Sequence, residues 1–184
     1  MSGGVVNAID NGRQAGRVGN HASIWSGTAD SWLDLHPASA VSSEAHCMSG
    51  DWQIGYVSIE VAPGERRDHA SIWRSTAESW VDLHLLLPSN YFSSVASSVA
   101  INGSRVEVVG WARNSVSNND EAFLWIGNLC PADFDNNGAA DVPDIFAFLA
   151  AWFASDPRAD FDGLNGIGVP DIFAFLAAWF AGCP

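Results

Sequence analysis

The chain has 184 residues, 48% of them hydrophobic, and its 21 acidic against 8 basic residues give a formal net charge of −13. All eight basic residues are arginines, too few to neutralise a run of phosphates, so we expect no nucleic-acid partner. The hydrophobic content excludes a disordered acidic chain, and no apolar run reaches the ~18–20 residues of a membrane span. Three cysteines are too few for a disulfide scaffold.

The first part of the chain contains a repeat with an offset of 48 residues. The segment 21–25 (HASIW) returns at 69–73, the segment 31–36 (SWLDLH) returns as SWVDLH at 79–84, and a weaker third copy lies at 121–125. Turn signals such as Asn-Gly and runs of β-branched and aromatic residues precede the copies. Each unit is therefore predicted to form about four short strands without a helix.

A period near 48 residues with four strands matches the size of a propeller blade. The units resemble the extracellular repeats named for a His-Ala-Phe motif, and the resemblance covers residues 1–129. About three units, the last incomplete, cannot close a ring of the usual 4–8 blades. We therefore predict an all-β domain over residues 1–129, built as an open, incomplete array of propeller-like four-stranded blades and continuing a longer repeat array.

A second, shorter repeat follows the first. The twelve residues 143–154 return unchanged at 170–181, with an offset of 27, and an Asp-rich loop precedes each copy. Turn residues and a cysteine interrupt the β pattern at 127–131, which marks a domain boundary. We predict a second domain over residues 130–184, with two loop–helix units.

The first Asp-rich loop, residues 133–144, matches a twelve-residue calcium loop. Its sixth position is Gly138, where a sharp turn requires a residue without a Cβ atom. A hard cation takes six to eight oxygen ligands, and this spacing supplies them around one turn. The predicted ligands are Asp133, Asp135, Asn137, the carbonyl of Ala139, Asp141 (through water) and Asp144.

The second loop, residues 160–171, keeps only part of the pattern. Asp160, Asp162 and Asp171 stand at positions 1, 3 and 12, but Leu164 occupies a ligand position and Asn165 replaces the glycine. Gly168 removes another side-chain ligand at position 9. These three aspartates are candidate metal ligands, and whether the second loop holds calcium stays open.

The paired loop–helix units over residues 130–184 resemble a type I dockerin of the Gly-Cys-ended kind found at the C-termini of secreted bacterial proteins. The resemblance implies a small α-helical domain with two calcium sites that docks onto a cohesin-like protein. It also implies a disulfide between Cys130 and Cys183, which would place the protein outside the cell or at the cell surface. No signal peptide is visible at residues 1–5, so we expect the start to be missing. Cys47 should remain a lone, buried thiol.

Each predicted helix has one aromatic and one alanine-rich side. We expect the aromatic arc of the first helix, which includes Phe146, Phe148 and Phe153, to form core. An uncharged, alanine-rich face is then left for a partner. The predicted partner-binding residues are Val142, Ala147, Ala151, Val169, Ala174 and Ala178, of which the two valines stand where dockerins carry polar contact residues.

Two His–carboxylate pairs, Asp34 with His36 and Asp82 with His84, are the candidates for general acid–base chemistry. Because the pair recurs once per unit, we interpret it as a structural hydrogen bond and expect a non-enzymatic, calcium-dependent attachment protein. Two alternatives stay open. One is a glycan-binding β-propeller lectin, in which Trp52 or Trp111 stacks on sugars. The other is the C-terminal fragment of a secreted polysaccharide-degrading enzyme.

Overall fold

The structure is a computed structural model that describes residues 3–102 and 104–182. Its described residues form two compact units by chain contacts. The first comprises Met1–Ala100 and Glu107–Trp125, and the second comprises Ile101–Val106 and Ile126–Pro184.

Three antiparallel sheets hold most of the regular structure, and in each sheet consecutive strands are neighbours. The first sheet contains β1 (Gly4–Asp10), β2 (Arg13–Val18), β3 (His21–Trp25) and β4 (Leu33–Asp34). The second contains β5 (Ser42–Ser49), β6 (Trp52–Ala62), β7 (Glu65–Arg74) and β8 (Val81–Asp82). The third contains β9 (Tyr91–Asn102), β10 (Arg105–Asn114) and β11 (Asp120–Asn128).

The 48-residue repeat appears in the strand register. Ser23 on β3 pairs with Asp34 on β4, and Ser71 on β7 pairs with Asp82 on β8 in the same way. A short 3-10 turn lies between the paired strands in both sheets, at Ala29–Ser31 and Ala77–Ser79. Closely similar sequence therefore builds the same strand–turn–strand element twice.

A glycine lies where two strands approach closely in each sheet. A Cβ atom on Gly55 of β6 would lie 2.0 Å from the carbonyl oxygen of Glu44 on β5, beside a register shift between Ala45 and Cys47. Any side chain would overlap backbone there. Gly16 and Gly110 meet the carbonyl oxygens of Val5 and Val95 at 1.9 and 2.1 Å.

The core of the first unit lies around Trp73, which is fully buried together with small and branched side chains. The other buried members of this cluster are Ala15, Ala22, Ile24, Leu35, Ala45, Met48 and Val57. Cys47 is a free thiol, as predicted, but it is only partly buried.

The second unit contains two α-helices, α1 (Val142–Phe153) and α2 (Val169–Ala181). Each begins with Val-Pro, and proline is favoured in the first helical turn because its missing N–H would have no helical partner there. The carboxylate of Asp144 accepts the N–H of Asp141 at 2.8 Å, and Asp171 accepts that of Gly168 at 2.7 Å. These bonds fix the start of each helix.

The predicted fold class is wrong. The chain is mostly β, and among the described residues its three sheets close into neither a barrel nor a propeller. The helices, two in number, do not have a dockerin-like arrangement. The second unit is not a purely helical domain either, because it includes Ile101–Val106 and the end of β11. Leu129, just after β11, donates its N–H to the carbonyl of Ser104 at 2.6 Å, in the turn before β10.

We expect Gly55→Ala to destabilise the protein by about 3 kcal/mol, because the new methyl group overlaps the Glu44 backbone rather than a movable side chain. Gly3→Ala is the control, since nothing lies within 4 Å of a Cβ atom there. Urea unfolding of both variants measures the difference. Equal unfolding midpoints for the two would contradict this account of the close strand approach.

Candidate metal centre

The first Asp-rich loop brings three of its predicted ligands together. Asp133, Asp135 and Asp144 each offer a carboxylate oxygen, and these oxygens lie within 4.8 Å of one another. Asp133 and Asp144 are buried, whereas Asp135 is exposed. Negative charges at this spacing repel one another unless a cation lies between them, so the cluster could hold a metal ion.

Backbone N–H groups hold the first loop in this shape. The Asp133 carboxylate accepts the N–H groups of Asn137 and Gly138, both at 2.9 Å. Asp144 accepts the N–H of Asp135 at 2.9 Å. Gly138 has a φ of 102°, the left-handed conformation for which the sequence predicted a glycine.

The remaining predicted ligands of the first loop, Asn137, Ala139 and Asp141, lie along the loop. The side-chain oxygen of Asn137 accepts the Ala139 N–H at 2.9 Å. The amide nitrogen of the same side chain lies 3.5 Å from a carboxylate oxygen of Asp141. Asp141 does not belong to the three-carboxylate cluster.

The second loop builds the same cluster from Asp160, Asp162 and Asp171, again with oxygens within 4.8 Å of one another. N–H groups of Asp162, Gly168 and Phe161 bond to Asp171 and lower its pKa below the ordinary value, so this carboxylate stays ionised.

The departures from the calcium pattern do not change the turn of the second loop. Asn165 has a φ of 62° at the position where the first loop has Gly138, and asparagine is among the residues that tolerate this conformation best. Leu164 donates its N–H to Asp162 at 2.8 Å, the same contact that Asn137 makes to Asp135. The two loops therefore share a register.

The loops differ at their first ligand. Asp133 accepts three donors, including the hydroxyl of Ser104. The equivalent residue, Asp160, has a buried Oδ1 atom without any hydrogen-bond partner. Sequence reasoning missed Ser104, because it lies 29 residues before its partner and outside both loops.

The structure describes only one of the two cysteines of the predicted disulfide. Cys130 is 2% exposed and disulfide-bonded. Cys183 lies outside the described residues, so the pairing of these two cysteines stays a prediction.

The most exposed side chains of the two helices are not the alanines predicted to bind a partner. Ala151 is buried at 6% exposure, and Ala147, Ala174 and Ala178 are partly buried, while Val142 and Val169 are exposed. Phe148 is buried against Phe175 of the other helix, as expected of the aromatic arc. Phe146 and Phe153 were also expected in the core, and that expectation is wrong, because the other helix does not cover them. The most exposed large side chains of the helices, at 68–79%, are instead Phe146, Phe153, Phe173 and Phe180.

The His–Asp pairs form hydrogen-bonded clusters that recur in the first two sheets. Asp82 bonds to the ring of His69 at 2.7 Å and accepts the backbone N–H of His84 at 2.9 Å. The two imidazole rings stack with centroids 4.0 Å apart, and His84 reaches the hydroxyl of Ser94 at 2.8 Å.

The first sheet repeats this cluster contact for contact. Asp34 bonds to His21 at 2.8 Å, and His21 stacks on His36 at 3.8 Å. His36 lies 2.8 Å from the hydroxyl of Ser43. A cluster present in identical form in two sheets is typical of a structural element, whereas catalysis uses one asymmetric constellation.

Trp52 and Trp111, the candidates for stacking on sugars, differ in their exposure to solvent. The guanidinium of Arg74 lies 5.5 Å from the ring centroid of Trp52, which is partly buried and has this ring face covered. Trp111 is exposed.

The chain matches no protein-family model, no curated protein and no solved structure. Among the described residues, no helix has the length and apolar character needed to cross a membrane. The geometry of the loops, the helices and the His clusters therefore carries the functional inference.

The stacked imidazoles predict a pH dependence of stability. Burial and the neighbouring His69 lower the pKa of His84 to about 4, while histidine in an unfolded chain titrates near 6.5. The unfolded state therefore binds more protons between these values, and stability falls as the pH is lowered through this window. We expect the free energy of unfolding to drop by about 1 kcal/mol between pH 7 and pH 5, after discounting for partial exposure.

Chemical unfolding at the two pH values measures this loss. His84→Asn removes the titrating ring and should reduce it, whereas His46→Asn, which lies outside the stacks, should leave it unchanged. An equal loss in both variants would assign the pH dependence to other groups.

Proposed function

We propose that residues 130–184 form a calcium-stabilised attachment module that binds a protein partner. The observation that carries the proposal is the acidic cluster that recurs at an interval of 27 residues, once before each helix. Every candidate side-chain ligand is an oxygen atom, and neither loop contains histidine or cysteine. Hard oxygen donors suit calcium or magnesium rather than zinc or copper, and the twelve-residue spacing with its turn at position 6 favours calcium.

The second loop supports the proposal independently. A buried carboxylate oxygen without a partner costs free energy, and Asp160 has one in the cluster with Asp162 and Asp171. A cation at this point would satisfy it. We therefore propose calcium in both loops, although the second offers fewer side-chain ligands.

The helices supply the surface for attachment. On α1, Val142, Phe146 and Phe153 follow one another at helical spacing along one side, and all three are exposed. α2 repeats this stripe 27 residues later. Exposed aromatic stripes of this kind favour contact with another protein. The proposal keeps the partner class implied by the resemblance to dockerins, a cohesin-like domain, without the dockerin arrangement.

We propose that the protein acts by binding rather than by catalysis, since its His–Asp pairs are engaged in repeated structural clusters. The disulfide at Cys130 favours an oxidising compartment, so we propose an extracellular or cell-surface location.

Calcium titration of the full chain by calorimetry tests the metal sites. We expect two sites tighter than millimolar, because binding relieves the carboxylate repulsion, and a rise in melting temperature with calcium. Asp135→Asn and Asp162→Asn are a matched pair, both exposed and at position 3 of their loops, and each should remove one site. Asp30→Asn, an exposed acidic residue far along the chain, is the control. Binding heats that show no calcium site tighter than millimolar would refute the calcium assignment.

Attachment is tested separately with a purified type I cohesin domain as the probe. We expect calcium-dependent binding that weakens at least about tenfold in Phe146→Ser and Phe173→Ser, as aromatic anchors dominate interfaces. Val116→Ser, at an apolar residue outside the helices that is even more exposed, should leave it unchanged. If the cohesin does not bind in calcium, the proposed partner class is wrong. If all three variants bind equally, the proposed surface is wrong.

A further inference from the structure

Ser104 lies in the turn between β9 and β10, is 6% exposed, and donates its hydroxyl hydrogen to Oδ2 of Asp133. The contact joins a strand turn to the first residue of the first Asp-rich loop. Nothing in the repeats pairs these positions, because the serine lies outside both the 27-residue repeat and its loops.

Further hydrogen bonds connect the same two regions. The carbonyl of Ser104 accepts the N–H of Leu129 at 2.6 Å. The side chain of Asn128, at the end of β11, donates to the Asp133 carbonyl and to the side-chain oxygen of Asn136, both at 3.2 Å. The start of the loop is therefore held by the turn between β9 and β10 and by the end of β11, both within the second unit.

The donors on Asp133 determine which of its oxygens can reach a cation. An ionised carboxylate has about four lone-pair sites. Oδ2 accepts the Ser104 hydroxyl and the Gly138 N–H, whereas Oδ1 accepts only the N–H of Asn137. With both sites of Oδ2 occupied, the remaining lone pair belongs to Oδ1.

We propose that Ser104 is the positioning residue of the first cation site. It occupies Oδ2 of Asp133, so that Oδ1 is presented to the cation, and it couples occupancy of the loop to the turn between β9 and β10. This inference rests on the proposed calcium site in residues 133–144. Partners that orient a metal ligand from outside the coordination sphere typically change metal affinity by about 10–100-fold.

The second loop provides an internal comparison. Asp160 stands at the position of Asp133, but neither a serine nor a loop N–H satisfies its Oδ1 atom. The first ligand of the second loop is therefore not oriented from outside the loop. A change at Ser104 should affect the first site alone.

The experiment measures calcium affinity by calorimetry in the 184-residue chain carrying Asp162→Asn, so that only the first site is measured. We expect Ser104→Ala to weaken this site about tenfold. Ser104→Thr keeps the hydroxyl and should restore most of the affinity. A chain with Asp135→Asn, in which only the second site remains, should bind calcium equally with and without Ser104→Ala. Unchanged first-site affinity in Ser104→Ala, or equal losses at both sites, would overturn the proposal.

Hydrogen exchange on the unsubstituted chain gives a readout that does not depend on the serine variants folding. Calcium should slow amide exchange at residues 104–106, and Asp135→Asn should abolish this protection. Calcium binding without protection there would overturn the coupling while leaving the calcium site intact. A chain that binds no calcium at all would refute both the proposed function and this inference.

Discussion

The second unit depends on the stacking of two phenylalanines that are the same residue in two copies of the repeat. Phe148 of α1 and Phe175 of α2 are fully buried, and their rings lie parallel at 4.3 Å. Phe134 and Phe161, one from each Asp-rich loop, pack edge-on against this pair at 5.5–6.1 Å. Each loop phenylalanine stands between the first two acidic residues of its loop. The aromatic core and the acidic clusters are therefore built by neighbouring residues, and the core fixes where the carboxylates point.

Two tryptophans extend this symmetry to the helix ends. Trp152 of α1 donates its indole N–H to the carbonyl of Gly168, the residue before α2, at 3.0 Å. Trp179 of α2 donates to the carbonyl of Asp141, the residue before α1, at 2.8 Å. Each loop is thus held by the helix of the other copy. The two loop–helix copies are therefore connected by reciprocal hydrogen bonds.

The sequence identified the elements that repeat, because an exact repeat must place identical residues in equivalent positions. Both acidic triads follow directly from the spacing of the aspartates, and the strand units follow from the 48-residue offset. Non-local contacts carry no such signal. Ser104 meets Asp133 across 29 residues, and the exposure of Phe146 depends on which side of α1 the other helix covers. The predicted fold class was wrong for the same reason, since a resemblance of motifs does not determine how sheets and helices are arranged.

The His clusters show how a repeated sheet uses polar groups that elsewhere would indicate catalysis. Ser94 of β9 accepts the N–H of Ala70 on β7 at 2.9 Å while it contacts His84. Ser43 of β5 makes the equivalent contacts in the first sheet, accepting the N–H of Ala22 on β3 at 2.8 Å.

Each serine thus belongs to the sheet that follows the one whose histidine it contacts, so consecutive sheets are joined through a buried hydroxyl. A lone buried polar group would be costly, but here every member has a partner, which makes the cluster a specific link between sheets. Each aspartate therefore bonds the ring of one histidine and the backbone of the next histidine along the chain, and this fixes the contact between consecutive repeats. Its carboxylate and the two rings are engaged in these contacts in both sheets, so the recurrence of a His–Asp cluster here reflects how consecutive sheets are connected.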